Sequence, residues 1–268
     1  MHHQTLGFLG CGKMGGALLE GWLAAGVTTP DRVTVADPCT AAALAAAHGV
    51  RAADVAAAAA ADVVVIAVKP HQLRAALAGV TLRADQLLVS VAAGVPRAEI
   101  ARAATPARVV RVMPNLGVRI GAGVALVLGD DANEPADVEH VAALFRAVGH
   151  AEIVADEQLF HAGTALVGSG PAYAFVAIQA MADGAVAAGL PRDAARRLAA
   201  ATVKAAGALA GEPDAHPEAL KDAVASPGGT TIAALGILER QGFRGALFDA
   251  VLAAAERSRA LAGDGVSR

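Results

Sequence analysis

Cysteine is nearly absent: Cys11 and Cys39 are the only two in 268 residues. Two thiols at that spacing make neither a disulfide framework nor a metal-ligand pattern, so no metal ligand is assigned and a reducing cytoplasm is the expected setting. Excess basic charge is absent as well. The net charge is −3 with 18% charged residues, which gives no footprint for nucleic acid. The scattered arginines read as a solvated face. No basic-plus-apolar leader opens the chain, so no signal peptide is expected. The chain is 55% apolar, but much of that is alanine. Asp62 interrupts the stretch Val55 to Val68 and Asp183 the next, so no membrane span is expected. There is no repeat at a fixed period, and the run Ala57–Ala61 reads as plain helix.

Glycine, by contrast, is plentiful and placed. Leu6 to Leu9 is a short apolar run that reads as a strand. Gly10, Cys11, Gly12, Lys13, Met14 and Gly15 then spell G-x-G-x-x-G, and Met14, Ala17, Leu18 and Trp22 continue at helical spacing. In such a motif the glycines serve a tight turn, room for a pyrophosphate and close helix–strand contact. The free N–H groups of the helix start and its partial positive charge favour a phosphate. The spacing predicts a dinucleotide site; a merely structural glycine turn is the alternative.

The first half alternates. Strand-like runs at Leu6–Leu9, Arg32–Ala36, Val63–Val68, Leu87–Val91, Val109–Val112 and Val124–Leu128 flank Ala-rich helical stretches at Gly15–Ala25, Thr40–His48, His71–Ala78 and Pro96–Ala104. Helix Ala136–Val148 and a short strand Glu152–Val154 follow. This pattern predicts a parallel sheet covered on both faces. After about Asp156 strands vanish and helices are expected at 157–166, 171–188, 192–209, 217–225, 231–240 and 244–261. The predicted fold is therefore an α/β Rossmann-type domain, residues 1–156, followed by an all-helical domain, residues 157–268. Long, charge-poor helices need partners for their apolar faces, so a homodimer through the helical half is expected.

Ligands of such sheets bind at the carboxyl ends of strands. Asp37 ends the second strand and is placed to accept hydrogen bonds from an adenosine ribose and to repel a 2′-phosphate, or it simply opens a turn with Pro38. Val68-Lys69-Pro70 closes a very apolar strand; Lys69 reaches toward phosphate or ribose, or is a plain strand exit. His71 reads as a surface histidine. Asn115, after Arg111-Val-Met-Pro114, brings a donor and an acceptor to the expected nicotinamide position. Ser90 and Gly94 mark one more strand end. In the helical half, Gly168-Ser-Gly-Pro-Ala-Tyr173 opens a helix and holds the only tyrosine. Ser226-Pro-Gly228-Gly229-Thr230-Thr231 precedes another helix. The N–H groups of Gly229, Thr230 and Thr231 suit a small carboxylate, unless Ser226 or Thr230 acts only as a cap.

Taken together, these residues resemble pyrroline-5-carboxylate reductase along nearly the whole chain. The most specific elements are Ala219-Leu-Lys-Asp222 and Ser226-Pro-Gly-Gly-Thr-Thr231. Gly7–Gly15, Ala67-Val68-Lys69-Pro70, Ser90–Gly94, Met113-Pro-Asn115 and Gly168–Tyr173 support them in order. The resemblance implies reduction of 1-pyrroline-5-carboxylate to L-proline with NADPH or NADH, the last step of proline biosynthesis. It also implies a helical dimerisation domain, with dimers often gathering into a decamer. It assigns the glycine loop and Ala67–Pro70 to the cofactor and Ser226–Thr231 to the substrate carboxylate. Thr231 matches the threonine proposed to hydrogen-bond the ring nitrogen.

Several positions depart from the family pattern. Leu116-Gly117 and Arg119 follow Asn115 where Thr-Pro and a small or apolar residue are usual. Asp37 stands where Ser or Arg is common, and Asp54 where an adenosine-contacting Asn is common. The last two speak against a strict NADPH preference. A β-hydroxyacid dehydrogenase, the nearest rival of similar layout, needs an Asn four residues before its catalytic lysine, and Lys204 has Ala200 there.

Overall fold

The computed structural model describes residues 4–264. Short apolar runs give short strands: β1 (Leu6–Leu9), β2 (Val33–Ala36), β3 (Arg51–Ala52), β4 (Val63–Ile66), β5 (Leu87–Ser90), β6 (Arg108–Pro114), β7 (Gly123–Leu128) and β8 (Gly149–Val154). They form one sheet in the order β3-β2-β1-β4-β5-β6-β7-β8. The sequence order reverses between β1 and β4, the switch point where doubly wound sheets open a ligand crevice.

The helices of this unit are α1 (Lys13–Ala24), α2 (Ala41–His48), α3 (Val55–Ala59), α4 (Leu73–Leu77), α5 (Arg97–Ala104), α6 (Pro135–Arg146) and α7 (Leu159–Gly163). Strand side chains alternate between two cores. Phe8, Val63, Val65, Leu87 and Val89 join Leu18, Trp22 and Phe145 on one face. Leu9, Val64, Ile66 and Leu88 join Leu73, Leu77 and Ile100 on the other. Trp22 stands at the centre of the first: its ring meets Phe8 at 5.8 Å and Phe145 edge-on at 5.6 Å, and its Nε1–H donates to the Leu144 carbonyl at 3.0 Å. A buried indole thus keeps its hydrogen bond.

Two features of the sheet differ from the sequence expectation. The sheet is not wholly parallel, because β7 runs antiparallel to β6, with Val112 opposite Val127 and Pro114 opposite Ala125. The connector from Asn115 to Ala122 is shorter than the dozen or so residues that a parallel crossover needs. The strand β3 was also unexpected. It has two exposed residues and no apolar run, and exists only by pairing with β2, Thr34 to Arg51 and Val35 to Ala52.

The described residues form two compact units: one runs to Gly168 and takes up the chain again from Ala254, and the other is Ser169–Ala253. The division therefore differs from the 156/157 boundary read from the sequence. Residues 157–168 stay with the sheet because Phe160 is buried beneath the Arg111 guanidinium, 4.5 Å from its ring centre, and Glu157 pairs with Arg111 at 2.7 Å. The end of the last helix joins them through Ser258, whose hydroxyl lies 3.1 Å from His161 Nδ1.

The second unit contains α8 (Gly170–Ala187), α9 (Arg192–Ala210), α10 (Pro217–Ala223), α11 (Thr230–Arg240) and the first half of α12 (Phe243–Asp264). Its core is slight: Ala182, Ala195 and Ala199, with Ile178, Ala185 and Val186 beside them. Phe175, Val176, Leu198 and Phe248 are each more than half exposed. Three buried alanines release little apolar surface from water, so this unit needs a partner surface.

Among the described residues, one helical run, Leu159–Ala187, is long and apolar enough to cross a membrane by length and composition, with mean hydropathy 1.3. The sequence reading expected none, because Asp183 interrupts this stretch. A π-helical turn, Thr164–Gly168, follows α7 directly.

Candidate active site

The glycine loop begins where β1 ends. Gly10 takes φ +86°, a region that strains any side chain, and a Cβ there would lie 2.7 Å from Val68 Cγ1. The Gly10 N–H donates to the Ala36 carbonyl and the Ala67 N–H to the Leu9 carbonyl, both at 2.9 Å. The loop is thereby pinned between the ends of β2 and β4. A Cβ on Gly15, inside α1, would fall 2.3 Å from the Gly10 carbonyl oxygen; one on Gly12 would meet nothing within 4 Å. Close packing at Gly10 and Gly15 and open space at Gly12 fit a pyrophosphate resting against the start of α1. That start has no side-chain cap and no acidic residue in its first turn, so its first-turn N–H groups are not answered by the helix's own side chains. Lys13 is exposed beside it and Met14 packs into the core.

Asp37 sits at the end of β2, as expected, but its carboxylate is largely engaged by the backbone. Oδ2 accepts the Cys11 N–H at 2.8 Å, and Oδ1 accepts the Cys39 and Thr40 N–H groups at 2.8 and 2.9 Å. Burial pushes its carboxyl up, yet these three backbone donors, with the Thr40 hydroxyl after them, outweigh burial and hold it below its ordinary value. A carboxylate offers about four lone-pair sites, so too few remain to serve two ribose hydroxyls. Thr40, which sequence reasoning missed, donates its hydroxyl to the Cys11 carbonyl at 2.9 Å. The available signal was a threonine three residues after the strand-ending aspartate. Burial first, and the Asp37 charge second, push the Cys11 thiol up to about 12, so it stays protonated and unreactive.

The other cofactor candidates share the carboxyl edge with differing duties. Ala67 and Val68 are half-buried at the end of β4, and Lys69 and Pro70 are exposed after it. Asp54 is exposed and caps α3 by accepting the Ala57 N–H at 2.8 Å. Asp54 follows the pairing of Ala52 with Val35 by two residues, as Asp37 follows Val35. Asn115 uses Oδ1 to accept the Gly117 and Val124 N–H groups at 3.0 and 3.2 Å. Only its amide donors remain for a ligand, which narrows the donor-and-acceptor role expected of it. Arg119 pairs with Glu20 of α1, so its charge is already answered within the fold.

The substrate candidates lie in the helical unit. Gly229 is the N-cap of α11 and no side chain caps the helix, so the capping roles open to Ser226 and Thr230 are not taken. Gly228 turns the chain at φ +67° with open space around it, and a Cβ on Gly229 would meet Ser226 Oγ at 2.3 Å. Thr231 is half-buried in the first turn. Around this loop, Glu218 of α10 accepts from Lys221 at 2.6 Å and from Arg244 of α12 at 2.9 Å, and Arg244 reaches Glu239 of α11 at 2.7 Å. Those hydrogen bonds, Lys221 first, hold the Glu218 carboxyl down at about 2. They leave it unable to compete for the α11 start.

Known proteins are similar to this chain in sequence and in fold. The family model for pyrroline-5-carboxylate reductase dimerisation matches residues 157–261, and one for NADP oxidoreductase, coenzyme F420-dependent, matches residues 5–94. The pyrroline-5-carboxylate reductase of Escherichia coli is 41% identical over 265 residues, 96% of this chain and 98% of that protein. The crystal structure of the Plasmodium falciparum enzyme with NADP bound superposes with a TM-score of 0.84 at 27% identity, covering 98% of this chain and 99% of that one. The Coxiella burnetii enzyme reaches a TM-score of 0.86 at 31% identity, covering 96% and 98%. With identity above 40% along almost the full length of both chains, this chain belongs to the pyrroline-5-carboxylate reductases.

Proposed function

We propose that, in reducing 1-pyrroline-5-carboxylate to L-proline, this chain holds the substrate carboxylate on the first-turn N–H groups of Gly229, Thr230 and Thr231. The uncapped start of α11 carries this reading: a helix start with free donors and no carboxylate in its first turn is an anion site. Ser226 shapes the loop beneath it, and Gly228 gives the turn its sign. The Thr231 hydroxyl orients the ring nitrogen. The imine is readily protonated, and its carbon is then already electrophilic, so the protein needs no dedicated general acid here. Bound NADPH or NADH supplies the hydride. Gly10, Cys11, Gly12, Lys13, Met14 and Gly15 cradle its pyrophosphate, Ala67 to Pro70 and Asn115 border it, and Asp37 and Asp54 stand on the ribose side. The helical domain pairs with a second copy through its exposed apolar side chains, and dimers gather further toward a decamer. The enzyme works in the cytoplasm.

Thr231→Ala is expected to lower kcat/KM for the imine by about tenfold to a hundredfold, the value of one oriented hydrogen bond at the transition state. The dissociation constant of the cofactor should not move. Unchanged kcat/KM removes Thr231 from the mechanism.

The two carboxylates, Asp37 and Asp54, set the expectation for the cofactor. A dianionic 2′-phosphate brought near them is repelled, and Pro38, Cys39 and Thr40 bring no positive charge. NADH should serve at least as well as NADPH in kcat/KM. A preference for NADPH greater than about tenfold, or about 1.4 kcal/mol, contradicts this.

A further inference from the structure

We propose that Asp37 and Thr40 are positioning residues that hold the two peptide units flanking Cys11, one through its N–H and the other through its carbonyl, and so set the shape of the phosphate cradle. The proposal rests on the glycine loop being the pyrophosphate site. Cys11 is the first residue between the loop's glycines. Its N–H is held by Asp37 Oδ2 at 2.8 Å and its carbonyl by the Thr40 hydroxyl at 2.9 Å. Both gripping residues belong to one short turn after β2, and Asp37 Oδ1 ties that turn together by accepting the Cys39 and Thr40 N–H groups. The turn is rigid for the same reason, and α2 begins directly after it at Ala41. Cys11 itself is buried while Gly12 beside it is exposed. The two peptide units that lead into the open pyrophosphate space are thus each held by one hydrogen bond.

This duty toward Cys11 is distinct from the repulsion of a 2′-phosphate by the Asp37 charge, and Thr40 carries the first without the second. A ribose reader distinguishes NADH from NADPH and acts on adenosine. A cradle holder acts on whatever carries a pyrophosphate and treats the two cofactors alike. Thr40 is the cleaner probe, since Thr40→Val removes the hydroxyl, keeps the shape and leaves the Asp37 charge in place.

The test is calorimetric titration of wild type, Thr40→Val and Thr40→Ser with ADP, adenosine, NADH and NADPH, alongside kcat at saturating cofactor and the thermal midpoint. In Thr40→Val the dissociation constants of ADP, NADH and NADPH should rise together by about fivefold, the loss of one neutral hydrogen bond. Adenosine binding, kcat and the ratio of NADH to NADPH affinity should stay within about twofold. Thr40→Ser, which keeps the hydroxyl, should restore ADP binding. If ADP and adenosine weaken equally, if the ratio of the two cofactors shifts, or if nothing changes, the proposal is wrong. A Gly12→Ala protein that binds ADP as wild type does would instead overturn the cradle reading on which it rests.

Discussion

Glu157→Ala is expected to cost about 2–3 kcal/mol of stability, more than any surface charge deletion in this chain. The Arg111 side chain is only 7% exposed and lies in β6 between the Phe160 ring and Glu157. Glu157 Oε1 accepts from Arg111 at 2.7 Å and from the Arg97 N–H at 2.6 Å. Removing it strands a guanidinium in the protein interior and leaves a backbone donor unpaired. Breaking a buried pair in that way costs roughly 3–5 kcal/mol, and the lower figure applies because Glu157 is itself 28% exposed. Replacing both partners is another matter. Arg111→Met with Glu157→Leu should recover most of the loss, since the desolvation penalty goes with the charges. Urea unfolding at one fixed protein concentration measures both, as oligomerisation otherwise shifts the midpoint. A loss below about 0.5 kcal/mol for Glu157→Ala would mean that the pair is worth no more than an exposed one.

A methyl group at Gly12 and one at Gly15 should fail in different ways. At Gly12 it meets no protein atom within 4 Å, so Gly12→Ala should fold with an unchanged thermal midpoint. The methyl then occupies the pyrophosphate space, and cofactor affinity should fall at least about tenfold, or roughly 1.4 kcal/mol. At Gly15 the methyl arrives 2.3 Å from the Gly10 carbonyl oxygen. Backbone cannot swing aside as a side chain does, so the β1–α1 turn must open. Gly15→Ala should lose cofactor affinity and stability together, the latter by about 1–3 kcal/mol as in other overpacked sites. Differential scanning calorimetry with cofactor titration separates the two. Equal thermal midpoints for the two variants would show that Gly15 is not the packing glycine.

The sequence by itself determined the local elements of this protein. Apolar runs bounded by turn residues read as strands at β1, β2, β4, β5, β6 and β7, the helical stretches fell at 3.6-residue spacing, and the two glycine-rich helix starts stood out. Each of these signals arises within a dozen residues, where backbone preference and burial pattern act directly. Tertiary structure alone decided what lies between distant residues. The partner on the β2 edge makes Arg51–Ala52 a strand, and a short connector turns β7 against β6. Asp37, readable as an acid at a strand end, spends its acceptors on Cys11, Cys39 and Thr40, and Asn115 spends its own on Gly117 and Val124. The buried Arg111 finds Glu157 only once β6 and α7 have packed. A strand end or a helix start announces its location through local sequence, but which atoms its polar groups satisfy depends on the neighbours that folding brings within about 3 Å.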